Sequence, residues 1–162
     1  MTEKELLPLA EKAIKSLADK NRTLALAESC TGGWVSKLIT DVSGASAVYN
    51  GGVCSYSNAV KMKILGVKKE TLDTLGAVSD ETARQMARGV RCALGADVGI
   101  GITGIAGPLS DNTAKPVGLI YICITDGEKE FCRELRNDFK ENIRTQNRLS
   151  AAKTALELLS DI

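Results

Sequence analysis

Leu6, Leu7, Ala10, Ala13, Ile14 and Leu17 recur at helical spacing, so the chain opens on an amphipathic helix. Thr23 to Ala27 reads as a short strand, stopped by the polar run Glu28-Ser29-Cys30-Thr31-Gly32-Gly33. Trp34, Val35, Leu38, Ile39 and Val42 return to the helical period. Strand, polar turn and helix in this order are the unit from which parallel sheets are built. Ala47 to Ser57 reads as a strand entering a special backbone turn at Gly51-Gly52. Asn58 is placed to cap a short helix through Leu65, closed by Gly66. Ser79 is placed as the N-cap of a longer helix with Ala83, Met86, Ala87, Val90 and Leu94 on one face.

Asp97 to Ile102 alternates Val98, Ile100 and Ile102 with glycines, the pattern of a buried strand, and a loop from Thr103 to Pro116 follows. Gly118 to Thr125 and Lys129 to Leu135 flank Asp126-Gly127, a hairpin signal. Asn142 to Leu159 is predicted helical, with Ala152, Ala155, Leu156 and Leu159 facing inward. The order predicts an α/β fold over residues 1–162, a single-domain three-layer α/β/α sandwich with a mixed, mostly parallel sheet. No linker, repeat or second domain is visible in the pattern.

Composition narrows the chemistry. The chain carries 21 basic and 20 acidic side chains, a formal charge of +1 that opposes a nucleic-acid-binding surface. It has no histidine, so it cannot by itself build a Ser-His-Asp triad, a Cys-His dyad or a His-ligated metal site. Any general base is therefore Lys, Asp, Glu or Tyr, or is borrowed. Five cysteines without C-x-x-C spacing read as reduced thiols rather than a disulfide framework or zinc site. The start of the chain has no signal-peptide pattern, and the longest apolar run is too short to span a bilayer. The expectation is a soluble cytoplasmic protein with no membrane partner.

Several segments carry candidate chemistry. Glu28 to Gly33 lies at the carboxyl end of a strand and opens a helix, where ligands of open α/β sheets collect. The free N–H groups of that first turn can hold an oxyanion or phosphate, although Ser29 or Thr31 could equally serve only as a cap. In Tyr56-Ser57-Asn58-Ala59-Val60-Lys61 the amine is a candidate base, provided burial lowers its pKa, and otherwise it is a solvated surface lysine. Its hydroxyl partner could be Ser29 or Ser57. Gly99 to Gly104 matches G-x-G-x-x-G, but two glycines fall inside a strand and no helix follows, so it is not a dinucleotide site. Those glycines read as close-packing positions, and Thr103 to Pro108 as a rigid pocket loop. Arg144 and Arg148 share one helix face, as an anion clamp or an exposed charged stripe.

Taken in order, AESCTGG (27–33), YSNAVK (56–61), ILGV (64–67), GAVS (76–79), TGIAGP (103–108), KPVGLIY (115–121) and R-x-x-x-R (144, 148) resemble the C-terminal domain family of the CinA competence/damage-inducible proteins, the nicotinamide-mononucleotide deamidases. The resemblance implies hydrolysis of nicotinamide mononucleotide to nicotinic acid mononucleotide and ammonia, with no cofactor and no metal. By position it makes Ser29 the nucleophile and Tyr56 and Lys61 its activating pair. It places Glu28, Thr31, Gly32, Gly33, Asn58, Thr103, Gly104, Gly107, Arg144 and Arg148 around the substrate. It also implies a homo-oligomer acting on a small-molecule nucleotide, not on nucleic acid. The alternative is a non-catalytic nucleotide-binding or scaffold module. Leu109-Ser110-Asp111-Asn112 stands where the family is glycine-rich, and Ala59 where it often has an acidic residue. No molybdopterin-binding-like domain precedes the motifs, so the chain resembles the stand-alone form.

Overall fold

The computed structural model describes residues 1–161. In chain order it contains α1 (Leu7–Asp19), β1 (Leu24–Glu28), α2 (Trp34–Thr40), β2 (Tyr49–Cys54), α3 (Asn58–Leu65), α4 (Lys69–Thr74), α5 (Asp80–Ala93), β3 (Val98–Gly104), β4 (Leu119–Thr125), β5 (Glu130–Arg136) and α6 (Ile143–Ser160). One sheet runs in the order β2-β1-β3-β4-β5. β1 pairs parallel with β2 and β3, whereas β4 pairs antiparallel with both β3 and β5. Only β4 is reversed, which is the mixed, mostly parallel sheet expected.

Alternation along the strands divides the core into two layers. Leu24 and Leu26 of β1 join Ile100, Ile102, Ile120 and Ile122 under α1, α2 and α6. Ala25 and Ala27 face the other way, against Leu65 of α3 and Met86 and Val90 of α5. The second face is lined with small residues because α5 lies almost directly on it. A Cβ added at Gly101 would sit 2.2 Å from the Ala83 carbonyl oxygen and 2.7 Å from the Ala87 nitrogen. Gly99 meets the Ala87 carbonyl in the same way. These are the close-packing glycines the strand pattern suggests, and no helix opens after them.

Several elements differ from expectation for identifiable reasons. Gly51 and Gly52 lie within β2, where the register against β1 shifts, rather than in a turn. A Cβ at Gly52 would collide with the Tyr49 hydroxyl, so the glycine admits the close approach of Tyr49 and Ser36. Ser57, not Asn58, caps α3, its hydroxyl accepting from the Val60 N–H, and Asn58 is the first helical residue. The short α4 escapes periodicity because only Thr71 and Leu72 of it are buried. Cys123 and Cys132 are directly opposed across β4 and β5 and joined by a disulfide, whereas the spacing suggests five reduced thiols. Cross-strand register brings them together, and Cys30, Cys54 and Cys92 are free. Among the described residues no helix is long and apolar enough to cross a membrane.

Gly101→Ala should lower unfolding free energy by about 1–3 kcal/mol, because the new methyl group meets backbone that cannot rotate away. Urea denaturation with an unchanged m-value is the check.

Candidate active site

Loops at the carboxyl ends of β1, β2 and β3 converge on one open pocket of about 250 Å³, lined by Ser29, Lys61, Tyr56, Thr103, Arg144 and Asp111 among others. This is the edge of the sheet at which ligands of open α/β folds bind. The backbone of its floor is pinned by the neighbouring strands. The Ser29 N–H donates to the Ile102 carbonyl at 3.0 Å, and the Ser55 N–H to the Glu28 carbonyl at 2.8 Å.

Lys61 rises from α3 into this floor with its side chain 1% exposed. Its Nζ lies 3.0 Å from Ser29 Oγ and donates to the Ser55 carbonyl oxygen at 2.6 Å. No carboxylate pairs with it among the described residues. Burial thus acts on the ammonium without a counter-charge, and it lowers the pKa from 10.5 to about 8. Of the two serines, it is Ser29 whose hydroxyl lies against Lys61, whereas the Ser57 hydroxyl caps α3. The thiol of the adjacent Cys30 is buried and pushed up to about 12, so it stays protonated.

Glu28 does not face the pocket. Its side chain is buried, and its carboxylate accepts the N–H groups of Gly33, Val35 and Ser36 and the Ser36 hydroxyl. A negative side chain thereby fills the positive end of α2, the place where the sequence suggests a bound oxyanion. The Gly32 N–H is also engaged, by the Ser29 carbonyl. Of the N–H groups in this turn, those of Cys30 and Thr31 take no acceptor among the described residues, and they directly follow the serine.

Tyr56 lines the pocket but does not meet Lys61. It is 66% exposed, and its hydroxyl accepts from Arg144 Nη2 at 3.1 Å. Arg144 also donates through Nη1 to the Gly107 carbonyl at 2.8 Å, so it stands at the pocket rim. Arg148, one turn later, points elsewhere. Its Nη2 donates to the Thr31 carbonyl at 2.7 Å, and its guanidinium lies 4.6 Å over the Trp34 ring. Gly32, at φ +61°, gives that guanidinium room. Thr31, Gly32 and Gly33 accordingly shape the turn without lining the pocket, whereas Asn58, Thr103, Gly104 and Gly107 do line it. Thr103 is buried and donates its hydroxyl to the Ala77 carbonyl.

Asn147 escaped the sequence reading. It is buried, and its amide donates to the Ala106 carbonyl at 3.0 Å. Three residues from one stripe of α6 thus hold both loops: Arg144 and Asn147 the 106–107 segment, Arg148 the turn after Ser29. The i, i+3, i+4 spacing was the available signal.

Glu28→Gln should cost about 1–3 kcal/mol of stability, because an amide group turns a donor toward backbone donors and leaves at least one unsatisfied. Denaturant unfolding measures it; a variant as stable as wild type would remove the capping role.

The fold and site have relatives. Residues 6–162 match the model of the CinA C-terminal domain. The chain is 51% identical over 143 residues to a CinA-like protein of Syntrophomonas wolfei, covering 88% of this chain and 34% of that protein. It is 47% identical over 151 residues to a CinA-like protein of Leptospira borgpetersenii, covering 93% and 36%. It therefore spans about a third of the length of the curated relatives it matches. A competence/damage inducible protein from Agrobacterium tumefaciens superposes with a TM-score of 0.90 at 37% identity, over 98% of this chain and 94% of that one. A CinA superfamily protein from Klebsiella pneumoniae gives 0.91 at 25% identity, over 99% and 97%. The chain belongs to the CinA C-terminal domain family.

Proposed function

We propose that this domain is an amidohydrolase that converts nicotinamide mononucleotide to nicotinic acid mononucleotide and ammonia, with Ser29 as nucleophile and Lys61 as base. The observation that carries the reading is the 3.0 Å approach of a buried, carboxylate-free lysine amine to a serine hydroxyl on the floor of an open pocket. Near neutrality an ordinary lysine is almost wholly protonated, whereas one at about 8 supplies a useful fraction of free amine.

In this reading Ser29 Oγ attacks the carboxamide carbon while Lys61 Nζ takes the hydroxyl proton. The unengaged N–H of Cys30, a residue of the pocket lining, is the donor left for the developing oxyanion, and one such donor contributes about 2.7–4 kcal/mol to the transition state. The Lys61 ammonium then passes its proton to the departing nitrogen, and ammonia leaves an acyl-serine. Lys61 next removes a proton from water, which attacks the acyl carbon; the bond to Ser29 Oγ breaks, Lys61 returns the proton to that oxygen, and the acid product leaves. Arg144, with donors beyond those used by Gly107 and Tyr56, and Asn58 meet the 5′-phosphate at the rim. Tyr56 fixes Arg144 in place of relaying the proton. The altered 109–112 segment leaves the pocket open, with Leu109 83% exposed at its edge, which favours turnover over a closed binding module.

Ammonia release from nicotinamide mononucleotide tests this. Ser29→Ala and Lys61→Met should each lose about 10²–10⁴-fold in kcat. Lys61→Arg should fail to restore activity, since a guanidinium does not give up its proton. With Lys61 present the rate should rise about tenfold per pH unit below about 8 and level off above, because the neutral amine is the active form. A rate flat across that range, or near wild-type activity in Ser29→Ala, would overturn the mechanism.

A further inference from the structure

The pocket presents three charged groups: Lys61 on its floor, and Arg144 and Asp111 among its other lining residues. None of them forms an ion pair among the described residues. Asp111 is the lone carboxylate of the lining. Its Oδ1 accepts from the backbone N–H and the hydroxyl of Thr113, which hold the side chain, while Oδ2 accepts from no donor among the described residues. Glu28, the carboxylate suggested by the sequence, is consumed inside the fold.

We infer that Asp111 is a specificity-determining residue that selects a substrate whose reacting ring carries a positive charge. Resting on the amidohydrolase reading, this assigns the two rim charges to the two ends of a zwitterionic nucleotide: Arg144 to the phosphate and Asp111 to the cationic ring. An uncharged aromatic amide bearing the same phosphate gains nothing from Asp111. The segment that departs from the glycine-rich pattern thus acts as a charge filter.

Calorimetric binding to the Ser29→Ala protein isolates recognition from turnover. The probes are nicotinamide mononucleotide and its two-electron-reduced 1,4-dihydro form, which keeps carboxamide, ribose and phosphate but has a neutral ring. Asp111→Asn in that background should weaken the oxidised nucleotide about fivefold and leave the reduced one within about twofold, the range of a partly exposed charge pair. Equal weakening of both, no weakening of either, or no measurable binding overturns the inference. Ammonia release by the otherwise unaltered chain separates the two readings. Turnover with no ring-charge effect sinks the role of Asp111 alone. A ring-charge effect lost in Asp111→Asn, without turnover by the unaltered chain, sinks the amidohydrolase reading alone.

Discussion

An amine held out of water against a hydroxyl is the constraint on which this site depends. Burying a lysine costs free energy unless it is paired or neutral, and here no carboxylate compensates it. The protein meets that cost by letting the proton go more easily, which is also what a base requires. The Ser55 carbonyl aligns the amine, and the Ser29 hydroxyl stands at its other side. A nearby acid would stabilise the ammonium and raise the proton affinity of the amine instead.

The fold delivers this pair through adjacent parallel strands. Ser29 directly follows β1, Ser55 directly follows β2, and α3 turns back to set Lys61 against both. Glu28 then anchors α2 by accepting its first N–H groups, so the turn between strand and helix is held from below. α6 holds it from above through Arg148, and holds the opposite wall through Asn147 and Arg144. The shape of the pocket therefore depends on a helix more than a hundred residues downstream of the turn it holds.

Much of this was legible from residue order. Alternation and periodicity placed the strands, the hairpin at Asp126-Gly127 and the long helices, because each buries one regular face. With no histidine in the chain, Lys61 stands out as a candidate base, and Gly99 and Gly101 form no dinucleotide loop because α5 packs into the space they open. What was not legible turns on side-chain direction. Glu28 is the last residue of β1 and turns its carboxylate to the first N–H groups of α2, whereas Ser29 lies in the bend that follows and lines the pocket, a difference of direction that residue order does not encode. Arg144 and Arg148 share a helix stripe yet reach different loops, because one helical turn separates their origins. Tyr56 lies close to Lys61 in sequence but leaves the strand end facing Arg144. The Cys123–Cys132 link depends on cross-strand register, which spacing alone does not encode.

In the proposed mechanism the proton affinity of a single amine links the burial of Lys61 to the reactivity of Ser29. Nuclear magnetic resonance titration of the protein labelled at lysine side chains, with Lys61→Met identifying the resonance, reads that affinity without reference to any substrate. The account predicts a midpoint for Lys61 near pH 8, well below the remaining lysines. A midpoint near the ordinary value of 10.5 would show an amine too strongly protonated to activate Ser29 and would contradict it.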